Sequence, residues 1–351
     1  MTREDAFILW LMSIGLHKPW EALERHGSAE AVFRNASAMD AKSASHANAG
    51  YLEKLVNRTR AALADNNARF ISYKHEDYPP RLKVIPNAPL GLFAKGALPN
   101  PTAPAAAIIG TRDNTQYGSR AAEMLTSELA AAGIVIISGM ARGLDAKVHE
   151  AALVADGQTC AILPSGIDIC YPAENSRLYR QIADSNCLLT EFLPGFKPQR
   201  WSFPARNRII AGMADILAVI EAGIKSGTQT TVDHALEQGK EIFAVPGRIF
   251  DKKSAGTNEL IKQGAHILTS PADLILALKI NHPQPAQPSP KKISLASDET
   301  LVYDCLNYDP ASMDYIVYKT GLNIADVNRL LLNMELAGYI KRLPGQRYIK
   351  T

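Results

Sequence analysis

The feature that most constrains the fold is a series of six short apolar segments between residues 105 and 278. Each segment is bounded by Gly, Pro, Ser or Asn and is apolar on both faces, as in strands buried between two helical layers. Residues 119–132 and 145–156 carry apolar positions at helical spacing between these segments. The alternation predicts a doubly wound, mostly parallel sheet of the Rossmann-like α/β class. The predicted strands are 106–109, 134–137, 159–163, 187–189, 216–220 and 242–245.

The sequence on either side of this region predicts further domains. Residues 1–70 have helix-period apolar positions and many alanines, which favour a small helical domain. Residues 71–280 form the predicted core, including a proline-dense extended connector. Residues 281–297 lose the apolar pattern and read as a proline-rich linker. Residues 298–351 have helical periodicity followed by a short hairpin, which predicts a winged-helix-like domain.

Composition excludes several classes of protein. The chain is 46% hydrophobic and 21% charged, as in ordinary globular proteins. No apolar run approaches the ~20 residues of a membrane-spanning helix. Glu4 and Asp5 precede the apolar stretch at 6–12, which argues against a signal peptide, so we expect a cytoplasmic protein without membrane contact. The four cysteines form no CxxC pair, so neither a zinc site nor a disulfide framework is expected.

The loops after the predicted strands are the places to look for a site, because parallel strands present ligands at their carboxyl ends. These loops are rich in small residues, which allow a ligand to approach the backbone, and several of them carry arginines. The combination predicts anion binding, with phosphate as the favoured anion. A net charge of +3 means that any basic site must arise by local clustering. The alternative is that the glycines serve turn geometry, and that Arg206 and Arg208 tie loops together through carboxylates such as Glu191 or Glu221.

Known catalytic patterns are absent from the sequence. Lys225 and Ser226 follow Ile224 without a Walker A loop, and neither GxGxxG nor GxSxG is present at the required place. Asp145 and His149 share a helix face, but no third ligand stands at a useful spacing, so a structural hydrogen bond is favoured over a metal site. We therefore expect no catalytic residue, no metal and no cofactor.

The same loops carry a family resemblance. Over nearly its whole length the chain resembles the DprA (Smf) family of DNA-processing proteins. The matching segments are Tyr78-Pro79, Lys95-Gly96, Ile109-Gly110-Thr111-Arg112, Ser138-Gly139-Met140-Ala141-Arg142-Gly143-Leu144-Asp145, Gly166-Ile167-Asp168, Tyr171-Pro172, Phe203-Pro204-Ala205-Arg206-Asn207-Arg208, Ser226-Gly227-Thr228, Pro246-Gly247 and Leu260-Ile261-Lys262-Gln263-Gly264-Ala265.

The resemblance implies a homodimer that binds single-stranded DNA during natural transformation and helps to load the RecA recombinase. It places Arg112 and the Phe203–Arg208 segment in a basic DNA pocket, and Arg200 at a position that is basic in relatives. Taken with the loop positions, the predicted DNA-binding residues are Gly110, Thr111, Arg112, Ser138, Gly139, Arg142, Gly166, Arg200, Phe203, Arg206, Asn207, Arg208, Lys225, Ser226, Gly227 and Thr228. The implied dimer interface contains Asn258, Leu260, Ile261 and Ile267. Phe196, Trp201 and Phe203 are candidates for base stacking, with buried packing as the alternative.

The sequence departs from the family pattern at several positions. Gln229 replaces an apolar residue, and Ala173 replaces a lysine found in some relatives. Residues 14–19 lack the GIG turn of a phosphate-gripping helix–hairpin–helix, so we expect a structural or partner-binding N-terminal domain. The candidate recognition helix at 324–336 has few basic residues, which favours protein contact over duplex reading.

Two rival functions remain open. The first is an N-glycosidase of the lysine-decarboxylase-like type, in which Asp233 would have to replace the usual glutamate of a GGxGTxxE loop. The second is a regulatory module that binds nucleotides without contacting DNA.

Overall fold

The computed structural model describes residues 1–16, 18–38, 41–279, 297–307 and 309–350. The chain divides into two compact units, Met1–Ile280 and Asn281–Thr351, which we describe separately. The predicted linker at 281–297 lies outside the described residues except for Ser297. The predicted domain boundaries stay predictions.

The first unit is built on a nine-stranded sheet in the order β1-β2-β6-β5-β4-β3-β7-β8-β9. The seven strands β6-β5-β4-β3-β7-β8-β9 are parallel to their neighbours, and β2 pairs with β6 in the antiparallel sense. The strands are β1 (Ala68–Ser72), β2 (Gly91–Gly96), β3 (Ala105–Ile109), β4 (Val135–Ser138), β5 (Thr159–Ile162), β6 (Cys187–Thr190), β7 (Ile216–Val219), β8 (Glu241–Ala244) and β9 (His266–Ile267).

The six strands predicted from the sequence are β3 to β8, and each boundary agrees within one residue. Their side chains alternate between two cores, because successive residues of a strand point to opposite faces. In β3, Ala106 and Ile108 pack in one layer, whereas Ala107 and Ile109 pack in the other. The predicted Rossmann-like, doubly wound class is therefore confirmed.

Helices cover both faces of the sheet. The helices of the first unit are α1 (Arg3–Ile14), α2 (Pro19–His26), α3 (Ala29–Arg34), α4 (Ala41–His46), α5 (Ala49–Asp65), α6 (Pro80–Lys83), α7 (Gln116–Ala131), α8 (Leu144–Val154), α9 (Ser176–Ser185), α10 (Ser202–Met213), α11 (Thr228–Glu237), α12 (Ala255–Lys262) and α13 (Pro271–Ala277). Helices α7, α8 and α13 pack on one face, and α6, α10, α11 and α12 pack on the other.

The order of the strands reverses beside β3, which lies between β4 and β7. Helix α7 follows β3 on one face, and α11 follows β7 on the opposite face. The loops that leave these two neighbouring strands therefore diverge and open a crevice at the carboxyl edge. A topological switch point of this kind is the usual ligand site of open α/β sheets.

The N-terminal helices form their own apolar cluster on the first unit. Trp10 of α1 is fully buried, and its indole N–H donates to the carbonyl of His46 at 3.0 Å. Trp20 of α2 donates to the carbonyl of Ala88 at 2.8 Å, which ties this cluster to the chain just before β2. Within the described helices, none is both long and apolar enough to cross a membrane.

The second unit is a small winged helix. Its elements are α14 (Ser297–Cys305), β10 (Ala311–Ser312), α15 (Met313–Thr320), α16 (Ile324–Leu336), β11 (Ile340–Leu343) and β12 (Arg347–Lys350). The strands pair in the order β10-β12-β11. Leu331 of α16 and Tyr348 of β12 lie in the core between the strands and the helices. Helix α16 has the bounds predicted for the recognition helix.

Candidate functional site

The crevice beside β3 contains two adjoining clefts, which together we call the switch-point crevice. The first has a volume of about 410 Å³ and includes Gly110, Thr111, Arg112, Asp145, Phe203, Arg206, Asn207, Ser226, Gly227, Thr228, Thr230 and Thr231. The second has a volume of about 210 Å³ and includes Arg112, Gly139, Arg142, Tyr171, Pro172, Glu174, Phe203 and Arg206. Arg112, Ala141, Phe203 and Arg206 line both clefts, so these four residues join them.

Arg112 is an exposed cation that lines both clefts of the crevice. It lies in the loop after β3, and its guanidinium carbon lies 5.1 Å from the centroid of the Phe203 ring, at cation–π distance. Among the described residues, no carboxylate lies within ion-pair distance of it. A planar guanidinium that rests on an aromatic face and keeps its donors available can receive a phosphate.

Two aromatic rings continue from Arg112 along the second cleft. The Phe203 ring packs against Tyr171 with centroids 5.7 Å apart and an interplanar angle of 65°. Tyr171 is 39% exposed, and Phe203 is half-buried. The cleft therefore offers aromatic surface beside a cation, which is the combination that binds the bases and phosphates of a single strand.

Arg206 is buried and acts as a brace beneath the crevice. Its Nη1 donates to the carbonyl of Gly139 and, at 2.6 Å, to the carbonyl of Ile162, while its Nε donates to Asn207 Oδ1 at 3.1 Å. Burial lowers the pKa of Arg206 to about 10, which leaves it protonated at neutral pH. The side chain thus links the ends of β4 and β5 to α10 and contributes positive charge from below.

Asp145 is the buried carboxylate that faces Arg206. Burial raises the pKa of Asp145, and the neighbouring Arg206 guanidinium opposes that rise. Its Oδ2 accepts a hydrogen bond from the Ala141 N–H at 3.4 Å. The pair of opposite charges explains why two ionisable groups can be buried under one loop.

Gly139 allows this arrangement to pack. A Cβ at this position would lie 2.7 Å from Asp145 Oδ2 and closer still to Arg206 Nη1. The glycine is therefore required by the internal brace, and its presence does not by itself indicate contact with a ligand.

The start of α11 forms the opposite wall. Its N-cap is Gly227, which has no side chain to cap the first turn, and Thr228 and Thr231 of that turn line the cleft. Free N–H groups and the positive end of the helix dipole favour an anion at such a terminus. Asn207 fixes this wall by donating to Thr230 Oγ1 at 2.7 Å.

Arg208 lies outside the crevice. It pairs with Glu191, and the side chains of Arg208 and Glu191 are 15% and 16% exposed. Burial raises the pKa of Glu191, and Arg208 opposes the rise. Together with the carbonyl contacts of Arg206, this pairing matches the alternative in which the two arginines tie loops together. Glu221, the other carboxylate considered, instead accepts from the Thr115 N–H at 2.9 Å.

Four further predicted residues do not line either cleft. Ser138 is fully buried and donates to the Ile108 carbonyl at 2.7 Å, and Gly166 is buried beneath the backbone of Leu193 and Gly195. Arg200 and Lys225 are exposed on loops nearby. Arg142 lies in the second cleft, with its Nε 3.6 Å from the Glu174 carboxylate. The DNA-binding role of every predicted residue stays a prediction.

The other aromatic candidates form a separate cluster. Phe196 stacks on Phe192 with centroids 4.6 Å apart at 11°, and Trp201 packs edge-on against both rings. Trp201 remains 59% exposed, whereas Phe196 is half-buried. These contacts fit the packing alternative for Phe196.

His149 is held by a structural hydrogen bond. It is fully buried, and its Nδ1 lies 2.7 Å from Thr159 Oγ1. Burial lowers the pKa of His149 to about 3, so the ring is neutral at physiological pH. Among the residues that the structure describes, no group of His, Cys, Asp or Glu is arranged to hold a metal.

The predicted dimer residues lie at one end of the sheet. Ile267 is 56% exposed on the edge strand β9, and Ile261 is half-buried on α12. Leu260 is buried in the core, and the Asn258 amide makes two hydrogen bonds with the Gly247 backbone at 3.1 Å. Their role in an interface stays a prediction.

Sequence reasoning left several crevice residues out of the site. Tyr171, Thr230 and Thr231 were not assigned a site role, and Asp145 was weighed only as a metal ligand or as part of a structural hydrogen bond. A signal for Tyr171 existed, since the Tyr171-Pro172 pair belongs to the matching motifs. The placement of Thr230 depends on its bond to Asn207, which the sequence does not reveal.

Known proteins match this chain over most of its length. Residues 69–279 match the family model of DNA recombination-mediator protein A, and residues 283–346 match the DprA winged helix domain. The chain is 39% identical over 232 residues to the DNA processing protein DprA of Bacillus subtilis. This alignment covers 66% of this chain and 78% of that protein. It is 34% identical over 290 residues to the protein Smf of Escherichia coli, in an alignment that covers 81% of this chain and 78% of that protein.

Solved structures agree with these matches. The X-ray structure of DprA from Streptococcus pneumoniae aligns with a TM-score of 0.65 and 31% identity, over 79% of this chain and 98% of that one. A structure of DNA processing protein A from Helicobacter pylori, which concerns that protein's single-stranded DNA binding mode, aligns with a TM-score of 0.54 and 31% identity. The alignment covers 60% of this chain and 95% of that one. From its family matches, its sequence identities and its fold, the chain belongs to the DprA family of DNA recombination-mediator proteins.

Proposed function

We propose that the switch-point crevice binds single-stranded DNA. The observation that carries this proposal is the exposed Arg112 guanidinium resting on Phe203 where the two clefts meet. A phosphate can bind to Arg112 and to N–H groups at the start of α11, while bases stack on Phe203 or Tyr171. The Helicobacter pylori relative, whose structure concerns a single-stranded DNA binding mode, supports the same ligand class.

The contacts available predict how the protein selects its ligand. Backbone N–H groups, arginines and aromatic faces carry no base-specific pattern of donors and acceptors, so binding is tolerant of sequence. Stacking requires unpaired bases, and a duplex does not offer them. Binding to phosphates also releases counterions, so the affinity falls as salt rises.

We further propose that the protein is a cytoplasmic homodimer that protects DNA entering during natural transformation and helps to load RecA onto it. The family description as a recombination mediator supports this role. The exposed edge strand with Ile267 supports pairing of two copies. Two crevices in a dimer would hold one strand more tightly than one crevice, through effective concentration.

We infer that the protein acts by binding and not by catalysis. The N-glycosidase alternative requires Asp233 in place of the catalytic glutamate. Asp233 is exposed, accepts from Gln229 Nε2 at 2.9 Å, and lines neither cleft of the crevice. This position leaves it without access to a base held beside Arg112.

The test is a titration of the full chain with single-stranded and duplex oligonucleotides of the same sequence at two salt concentrations. We expect the single strand to bind more tightly and to lose affinity at the higher salt. Equal affinity for duplex would overturn the proposed ligand. Competition by mononucleotides as strong as by oligonucleotides would favour the nucleotide-binding module, and release of free base from nucleoside monophosphates would favour the N-glycosidase.

A further inference from the structure

An exposed aromatic turn follows β8 at the same edge of the sheet as the crevice. The Asp251 N–H donates to the Arg248 carbonyl at 3.0 Å and closes a four-residue turn. Ile249 and Phe250 form its tip and are 82% and 93% exposed. We call residues 248–251 the Phe250 turn.

The backbone holds this turn in place. Asp251 accepts from the Lys253 N–H at 2.9 Å through its carboxylate and from the Ser254 N–H at 3.1 Å through its carbonyl. On the other side, Gly247 is bonded in both directions to the Asn258 amide at 3.1 Å. Phe250 is thus displayed to solvent by an ordered loop, and its ring contributes almost no buried surface to the fold. Ile249 and Phe250 are adjacent and together expose apolar surface, which makes the tip a candidate contact surface.

The turn is attached to the loops that border the crevice. Lys253 Nζ lies 2.7 Å from the carboxylate of Asp113, the residue after Arg112. The Tyr117 hydroxyl, at the start of α7, donates to the Pro246 carbonyl at 2.8 Å. On the β7 side, the Gly256 N–H donates to the Ala222 carbonyl at 2.7 Å. The Phe250 turn therefore keeps a fixed position relative to Arg112 and to the loop that carries Ser226.

Two exposed cations, Arg248 and Lys252, lie on either side of Phe250. Lys253 is paired with Asp113, and Asp251 is the carboxylate within the turn. Lys225 is exposed on the neighbouring β7 loop, beside Ile224, which is 66% exposed. Aromatic surface flanked by cations is the pattern that holds successive bases and phosphates of a single strand. A protein partner chosen by apolar contact alone would not require this set of cations.

We infer that Phe250 is a second base-stacking residue, which extends the single-strand path out of the switch-point crevice along the carboxyl ends of β7 and β8. The inference rests on the proposed function, since the strand that reaches Phe250 is the one held at Arg112. Lys225 and Lys252 lie beside this path and can meet the phosphates between the two stacking positions.

The experiment compares substitutions at Phe250 in the full chain, using fluorescence anisotropy with an oligothymidylate and with an abasic oligonucleotide of equal length. Phe250→Ala is expected to weaken binding to oligothymidylate about tenfold, a change of ~1.4 kcal/mol. It should leave binding to the abasic strand unchanged, because that strand has phosphates but no bases. Phe250→Trp should retain wild-type affinity, and Phe250→Leu should behave like Phe250→Ala.

Two controls separate this inference from the function on which it rests. Val154→Ala truncates an 84%-exposed apolar side chain at the end of α8, at the opposite edge of the sheet, and should change nothing. Arg112→Ala should weaken binding to both strands. If Arg112→Ala has no effect, the proposed function fails. If Arg112→Ala weakens binding while Phe250→Ala does not, the inference alone fails.

Light scattering on the same variants tests the other occupant of this surface. If Phe250→Ala lowers the oligomeric mass and weakens the two strands equally, the turn is a contact between copies of the chain, and the inference is overturned. An unchanged mass with a loss specific to the strand that has bases supports it.

Discussion

The Arg112 guanidinium lies over the face of the Phe203 ring, 5.1 Å from its centroid. One residue comes from the loop after β3 and the other from the first turn of α10, so the contact joins two segments 91 residues apart in sequence (203 − 112). The ring orients the cation without neutralising it. A site of this kind keeps its charge available for a phosphate.

Replacing Arg112 by Ala should weaken single-strand binding at least about tenfold, since a charge-assisted hydrogen bond to phosphate is lost. Thermal stability should not change, because the side chain is exposed. Electrophoretic mobility shift and calorimetry measure the two effects. Arg25→Ala, which removes another exposed arginine, on α2, is the matched control. Equal affinity of Arg112→Ala and wild type would remove Arg112 from the site.

A methyl group at position 139 should destabilise the fold. In Gly139→Ala the new Cβ would lie 2.7 Å from Asp145 Oδ2 and closer to Arg206, so the buried pair must shift. Overpacking of this kind costs about 1–3 kcal/mol, which urea denaturation would measure. Gly50→Ala, at the start of α5, places its Cβ at an ordinary 3.6 Å from Asn48 and should leave stability unchanged or slightly higher. Equal stability of both variants would show that the brace has room to relax.

The Arg208–Glu191 pair should contribute to folding and not to DNA binding. Arg208→Met leaves a buried carboxylate without its partner and should cost about 3 kcal/mol. The double variant Arg208→Met with Glu191→Leu should regain most of that loss in a urea titration, because no uncompensated charge remains. Its single-strand affinity should equal that of wild type. A loss of affinity as large as that of Arg112→Ala would instead place Arg208 on the DNA surface.

His149 should make stability depend on pH in mildly acidic solution. Burial lowers the pKa of His149 from 6.5 to about 3, so between these values the unfolded chain binds a proton that the folded chain does not. Stability is therefore retained above pH 6.5 and is lost as the pH falls towards 3, by up to ~1.4 kcal/mol per pH unit. Free energies of unfolding measured from pH 7 to pH 4 should fall less steeply for His149→Gln than for wild type. Identical slopes would refute the neutral, buried state of this ring.

The six core strands could be located from the sequence because strands buried between two helical layers must be apolar on both faces. They therefore form short apolar runs bounded by turn residues. The same holds for α16, whose apolar positions recur at helical spacing. The parallel order of the sheet and the edge that carries the site then follow from the right-handed connections of strand–helix–strand units.

The sequence by itself determined the six core strands, the bounds of α16, the fold class, the family and the loops that border the crevice. The tertiary structure decided which arginine faces the ligand. Arg206 and Arg208 are two positions apart on α10, and successive helical residues turn by about 100°, so they point in nearly opposite directions. Arg206 is buried because the carbonyls of Gly139 and Ile162, at the ends of the neighbouring strands β4 and β5, both accept hydrogen bonds from it. These strand ends are far from α10 in sequence. Arg112 stays exposed because no described carboxylate meets it, and such long-range pairings depend on how the layers pack.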